Sequence, residues 1–166
     1  MTLPVLYAVA CGARPAEDLP AFVAALTSDW NVCVVATPSA LNFFDAPALA
    51  SSTGHPVRSE YKHPDEPDVL PPPDALVVAP ATFNTINKMA AGASDTLALG
   101  LLNESIGKAL PMVVAPAVNE ALSSHPAFPR SIETLRSCGV TVLDHRLRPF
   151  PWAALAAAIG EFRAGL

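Results

Sequence analysis

Val5-Leu6-Tyr7-Ala8-Val9-Ala10-Cys11-Gly12-Ala13-Arg14 decides the fold. Six residues run apolar without alternation and then break at a glycine. A strand with one wet face alternates apolar and polar side chains. An unbroken run is what a strand covered on both faces looks like, as in a parallel sheet flanked by helices. The pattern recurs at Val32–Ala36, Ala75–Ala79, Pro111–Ala115 and Val140–Leu143. Helical spacing fills the intervals: Leu19, Phe22, Val23 and Leu26 share one face of a helix expected over Ala16–Thr27. Further helices are expected over Ser39–Leu49, over Thr85–Leu102 as one or two, over Ser131–Cys138 and over Trp152–Phe162. Strands alternating with helices predict βαβ units, and so an α/β, Rossmann-like, doubly wound parallel sheet. At 166 residues, positions 1–166 read as a single domain.

Ser59 to Asp74 departs from this pattern. It carries Pro64, Pro67, Pro71, Pro72 and Pro73. Proline fixes φ and donates no backbone hydrogen bond, so an extended loop is expected, either functional or an oligomer contact.

Composition narrows the function classes. The chain is 51% hydrophobic and 15% charged, which excludes general disorder. Ten Lys+Arg against 15 Asp+Glu give a net charge of −5, which argues against nucleic acid as a partner. No apolar run approaches the ~20 residues of a membrane span, so no membrane partner is expected. Met1–Tyr7 lacks a basic region and does not read as a signal peptide. Cys11, Cys33 and Cys138 are odd in number and widely spaced, which fits reduced cytoplasmic thiols and no metal site. So apolar a chain with so little charge is expected to bury surface against copies of itself, as a homo-oligomer.

In open α/β sheets, ligands gather beyond the carboxyl ends of the strands. The segments there are Cys11-Gly12-Ala13-Arg14, Thr37-Pro38-Ser39-Ala40, Pro80-Ala81-Thr82-Phe83-Asn84-Thr85 and Pro116-Ala117-Val118-Asn119. Each is expected to turn into a helix N-terminus, where free N–H groups favour an anion. Thr37, Ser39, Thr82 and Asn119 suit a nucleotide or phosphate pocket, and equally suit ordinary helix caps. There is no GxGxxG and no P-loop, so a standard dinucleotide or nucleoside triphosphate site is not expected. Cys11 reads either as a thiol acidified by a helix end or as a small buried residue.

Pro80-Ala81-Thr82-Phe83-Asn84-Thr85, with its continuation through Leu97, resembles the Pro-Ala-Ser-Ala-Asn-Thr segment of the homo-oligomeric flavin-containing cysteine decarboxylases. That family includes phosphopantothenoylcysteine decarboxylase and the peptidyl-cysteine decarboxylases of lanthipeptide biosynthesis. Pro116-Ala117-Val118-Asn119 followed by His125-Pro126 resembles the family's Pro-Ala-Met-Asn segment, and Thr37-Pro38-Ser39-Ala40 the turn after its second strand. The resemblance implies a flavoprotein that binds FMN and assembles as a trimer or a multiple of trimers, with the flavin at a subunit boundary. It implies that Thr82, Phe83, Asn84 and Thr85 sit against the flavin. Gly12 and Ser39 would lie near its ribityl phosphate, Ala117 would touch the cofactor, and Asn119 would face the substrate carboxylate. The chemistry implied is oxidative decarboxylation of a peptidyl or acyl cysteine. A hydride leaves the cysteine β-carbon for the flavin, and the resulting thioaldehyde is the electron sink through which carbon dioxide departs.

This chain also departs from the family. Gly12-Ala13 stands where the family carries Gly-Ser; Arg14 follows and offers charge-assisted hydrogen bonds in place of the hydroxyl. Val118 replaces the motif methionine, and Leu122-Ser123 stands for Met-Trp. The cysteine-bearing substrate flap has no counterpart, since only Asp144–Pro149 separates Leu143 from the final helix region. These changes favour a peptidyl or other cysteine substrate over phosphopantothenoylcysteine. The family's spacing for its catalytic histidine, counted back from Asp74, falls near Glu66; His63, three residues further, is the candidate base, or else an exposed loop residue. His55 reads as a turn residue, His125 as a helix junction and His145 as surface. An FMN-binding protein without decarboxylase activity is the alternative function.

Overall fold

Five parallel strands build one sheet: β1 Val5–Ala10, β2 Asn31–Ala36, β3 Ala75–Ala81, β4 Met112–Pro116 and β5 Thr141–Val142. They stand in the order β2-β1-β3-β4-β5. The computed structural model describes residues 2–166; Met1, the first residue of the N-terminal reading above, lies outside them. The helices are α1 Leu19–Leu26, α2 Ala46–Thr53, α3 Phe83–Ala91, α4 Leu97–Gly107, α5 Glu120–Ser123, α6 Ala127–Ser137 and α7 Trp152–Gly165.

The unbroken apolar runs follow from a sheet covered on both sides. Tyr7, Val9, Leu76, Val78, Met112 and Val114 pack on one face with Ile86, Met89, Leu99, Leu102, Phe128 and Leu135 from α3, α4 and α6. Leu6, Ala8, Val32, Val34, Val77 and Val113 pack on the other with Leu19, Val23, Leu49, Leu155 and Ile159 from α1, α2 and α7. Each such side chain, taken fully out of water, contributes about 1.5–3 kcal/mol.

The helices differ from expectation where local chemistry intervenes. The helix expected over Ala16–Thr27 begins instead as a 3-10 turn, Arg14–Asp18, and only then continues as α1. Ser39–Leu49 is not one helix. A 3-10 turn over Pro38–Asn42 stops, and α2 restarts where the Asp45 carboxylate accepts the Ala48 N–H at 3.0 Å. Thr85–Leu102 divides because Gly92 takes the left-handed conformation (φ 74°) that ends α3. Lys88 and Asp95 therefore lie on either side of that break rather than on one helix, joined by an ion pair at 2.6 Å. The helix expected over Ser131–Cys138 starts four residues earlier, since prolines at positions 126 and 129 are tolerated in a first turn. The last strand shrinks to two residues.

The proline-rich segment runs from the edge of β2 to the start of β3. Arg58 pairs with β2, accepting from Ala36 N–H at 2.8 Å and donating to the Val34 carbonyl at 3.1 Å. Two tyrosine hydroxyls then hold the loop: Tyr7 donates to the Pro71 carbonyl at 2.8 Å, and Tyr61 to the Ser94 carbonyl at 3.2 Å. Gly100 on α4 leaves the room that the Tyr61 hydroxyl occupies. Among the described residues, no helix is long and apolar enough to cross a membrane.

Candidate functional site

The strand order reverses direction between β1 and β3, and in a sheet of this order that switch point is where the crevice opens beyond the strand ends. Three backbone hydrogen bonds join the turns there. Thr37 N–H donates to Ala10 at 2.9 Å, Cys11 N–H to Pro80 at 3.0 Å, and Ala117 N–H to Ala81 at 2.8 Å. The four turns singled out from the sequence thus stand side by side along one rim.

Gly12 and Ser39 meet at the β1–β2 end of that rim. A Cβ built on Gly12 would overlap the Ser39 hydroxyl and stand 2.8 Å from Ser39 Cβ. Only glycine allows this approach, and space is the reason, since Gly12 does not adopt positive φ. Ser39 and Thr37 hydroxyls lie 3.3 Å apart. Ala13 is half-buried beside them. The Arg14 side chain is 90% exposed, with Glu17 3.9 Å away.

The β3 turn supplies the next stretch. The Thr82 hydroxyl accepts the Thr85 N–H at 3.4 Å, capping α3, and donates to the Thr85 hydroxyl at 3.3 Å. Cys11 Sγ donates to that same Thr85 oxygen at 3.3 Å. Burial pushes the Cys11 thiol up, against the hydrogen bonds with Thr85 and Thr82 that favour the thiolate. Of the two readings of Cys11, the buried one is found: desolvation outweighs a helix end. Phe83 is half-buried with the His125 ring edge-on at 5.7 Å, and Asn84 is exposed. Beyond β4, Ala117 is half-buried. Asn119 is exposed and caps α5, its Oδ1 accepting the Leu122 N–H at 2.8 Å.

Two expectations need correction. Not every turn enters a true helix: those after β1 and β2 lead into five-residue 3-10 turns, and α5 has four residues. Such short turns carry little dipole, so α3 is the one substantial helix start on the rim. His145, expected at the surface, is only about 30% exposed in its side chain and packs edge-on against Phe128 at 5.1 Å.

His63 stands on the proline-rich loop with a 67% exposed side chain. Its Nδ1 accepts the Asp65 N–H at 3.3 Å and lies 3.4 Å from the Asp65 carboxylate. None of its described hydrogen bonds reaches the rim. His55 is a turn residue whose Nε2 lies 2.7 Å from Asn31 Oδ1.

The sequence gave no signal for the cleft beside the rim. A cavity of about 440 Å³ lies between α6 and the segment after β5, lined by Pro116, Phe128, Ile132, His145 and Arg146. A second, of about 390 Å³, is lined by Val118, Glu120, Ser123, His145, Arg146 and Arg148. The two share Ser123, His145 and Arg146. Arg146 binds Asp144 through Nε and a terminal nitrogen, at 3.0 and 2.7 Å, which holds the Asp144 carboxyl well below the usual range. The residues that make this cleft are nonadjacent in sequence and individually unremarkable in type. Among the described residues, no group of three or more His, Cys, Asp or Glu is arranged to hold a metal ion.

The Flavoprotein family model matches residues 5–162. A cysteine/cysteine sulfinic acid decarboxylase from an unknown prokaryotic organism is 39% identical over 71 residues, 43% of this chain and 19% of that protein. The coenzyme A biosynthesis bifunctional protein CoaBC of Bacillus subtilis (strain 168) is 31% identical over 120 residues, 69% of this chain and 29% of that protein. Less than a third of either relative's length is thus matched. The crystal structure of TvaF, an FMN-dependent cysteine decarboxylase from thioviridamide biosynthesis, superposes with a TM-score of 0.83 at 25% identity, covering 98% of this chain and 99% of that one.

Proposed function

Because the chain belongs to the Flavoprotein family, we propose that it binds FMN along the β1–β3 rim and catalyses oxidative decarboxylation of a peptidyl or acyl cysteine. What carries the reading is the approach of Gly12 to Ser39 at the switch point, beside hydroxyl groups and a free cation. That donor set suits a phosphate. The half-buried Phe83 and the buried Val118 offer apolar surface to a flat ring. FMN, when bound, would supply the two-electron acceptor that no amino-acid side chain provides.

The chain's own residues bind and orient. Gly12, Ala13, Arg14 and Ser39 would hold the phosphate end; Thr82, Phe83, Asn84, Thr85 and Ala117 would lie along the ring. Asn119 keeps its side-chain N–H₂ available for a substrate carboxylate while its oxygen caps α5. His63 is the candidate base. The larger concavities lie beside the rim rather than over it, so a ring bound there needs a further wall. We infer that a second copy supplies it, in a trimer or a multiple of trimers. Exposed Tyr61 and Val69 on the proline-rich loop favour this.

The test is direct. Purified protein should be yellow and release FMN on denaturation. Incubated with cysteine-ended peptides, it should yield products lighter by carbon dioxide and two hydrogens. Bound FMN without mass loss on any cysteine acceptor would instead favour a flavin-binding protein without decarboxylase activity. The containment of His63's hydrogen bonds within its own loop gives that second reading its footing.

A further inference from the structure

Arg14 differs from every other arginine in the chain. Arg58, Arg130, Arg136, Arg146, Arg148 and Arg163 each donate a hydrogen bond to a described carbonyl or carboxylate. Arg14 donates none among the described residues. Its one ionic neighbour, Glu17, stands at 3.9 Å with both side chains largely in water, a pairing worth little. The uncommitted guanidinium is also the one that sits at the switch point, two residues after Gly12 and the Ser39 hydroxyl packed against it.

We infer that Arg14 is the residue that reads the cofactor's terminal phosphate, and that it sets the preference for FMN over riboflavin. The inference rests on the proposal that the rim binds FMN and deepens it. A phosphate monoester is a dianion that needs several donors. Ala13 contributes no side-chain donor and Ser39 offers one hydroxyl. The two 3-10 turns add little electrostatic attraction because they are too short to build a dipole. A guanidinium presents its N–H groups in a planar fork that matches phosphate oxygens two at a time, with less geometric loss than an ammonium. Riboflavin has the same ring and ribityl chain and lacks only the phosphate. The Arg14 contribution is therefore confined to FMN.

The experiment measures the affinity of the purified chain, stripped of flavin, for FMN and for riboflavin by fluorescence titration. It compares the wild type with Arg14→Ala, Arg14→Lys and, as a control, Arg130→Ala. Arg14→Ala should weaken FMN about ten- to a hundredfold and leave riboflavin unchanged. Arg14→Lys should recover only part of the loss, and Arg130→Ala should match the wild type. Unaltered melting temperatures would establish that the variants fold. A wild-type preference for FMN that survives in Arg14→Ala overturns the assignment of Arg14 alone, as does an equal loss for both flavins. A wild type that binds neither flavin overturns the FMN reading and this inference together.

Discussion

Substituting Gly12 by alanine tests the geometry on which the rim depends. The added methyl would overlap the Ser39 hydroxyl, stand 2.8 Å from Ser39 Cβ and lie 3.1 Å from the Ser39 carbonyl carbon. The first two conflicts are with a side chain and the third is with backbone. Overpacking of this kind costs typically about 1–3 kcal/mol. In a chain of this length, each kcal/mol lowers Tm by about 2–4 °C. Ser39→Gly alone should destabilise by about 0.5–1 kcal/mol, mainly through backbone entropy. It also removes both side-chain conflicts, so the double variant should recover more than half of the Gly12→Ala loss. Urea unfolding of the four proteins closes a double-mutant cycle with an expected coupling of about 1–2 kcal/mol in favour of the pair. FMN titration on the same proteins should show Gly12→Ala binding at least tenfold more weakly. A coupling within about 0.5 kcal/mol of zero would refute the claim that these two turns are packed against each other.

Burial pushes the Tyr7 hydroxyl from 10.0 up to about 12. The unfolded chain then loses that proton first, so stability should fall by about 3 kcal/mol between about pH 10 and about pH 12. Tyr7→Phe should remove that part of the alkaline loss while costing about 1 kcal/mol at neutral pH through the bond to Pro71, and an identical alkaline limb in both proteins, followed by urea unfolding, would contradict it. Asn119→Asp should keep the α5 cap and the wild-type Tm, yet raise KM for a cysteine-ended peptide tenfold or more by repelling its carboxylate; an unchanged KM would leave Asn119 as a cap only. His63→Asn should lower turnover by at least about a hundredfold with bound FMN unchanged, and undiminished turnover would remove His63 from the chemistry.

Runs of five or six apolar residues declare strands covered on both faces, and glycine, proline and hydroxyl residues declare where the chain turns, because both signals are carried by near neighbours. That is why β1 appears with its ends at Val5 and Ala10, and why all four turns were found in the sequence. Helix continuity was read less well. The breaks at Asp45 and Gly92 depend on a single cap and a single left-handed residue within otherwise acceptable helical spacing. What the tertiary structure decided is proximity. Strand order places β3 beside β1, and only then do Cys11 and Thr85 touch across 74 residues and Gly12 close on Ser39. The state of the Cys11 thiol, the cleft shared by Ser123 and His145, and the isolation of Arg14 all arise from which distant segments exclude water from one another. Burial is a property of the assembled layers, and no window of consecutive residues contains it.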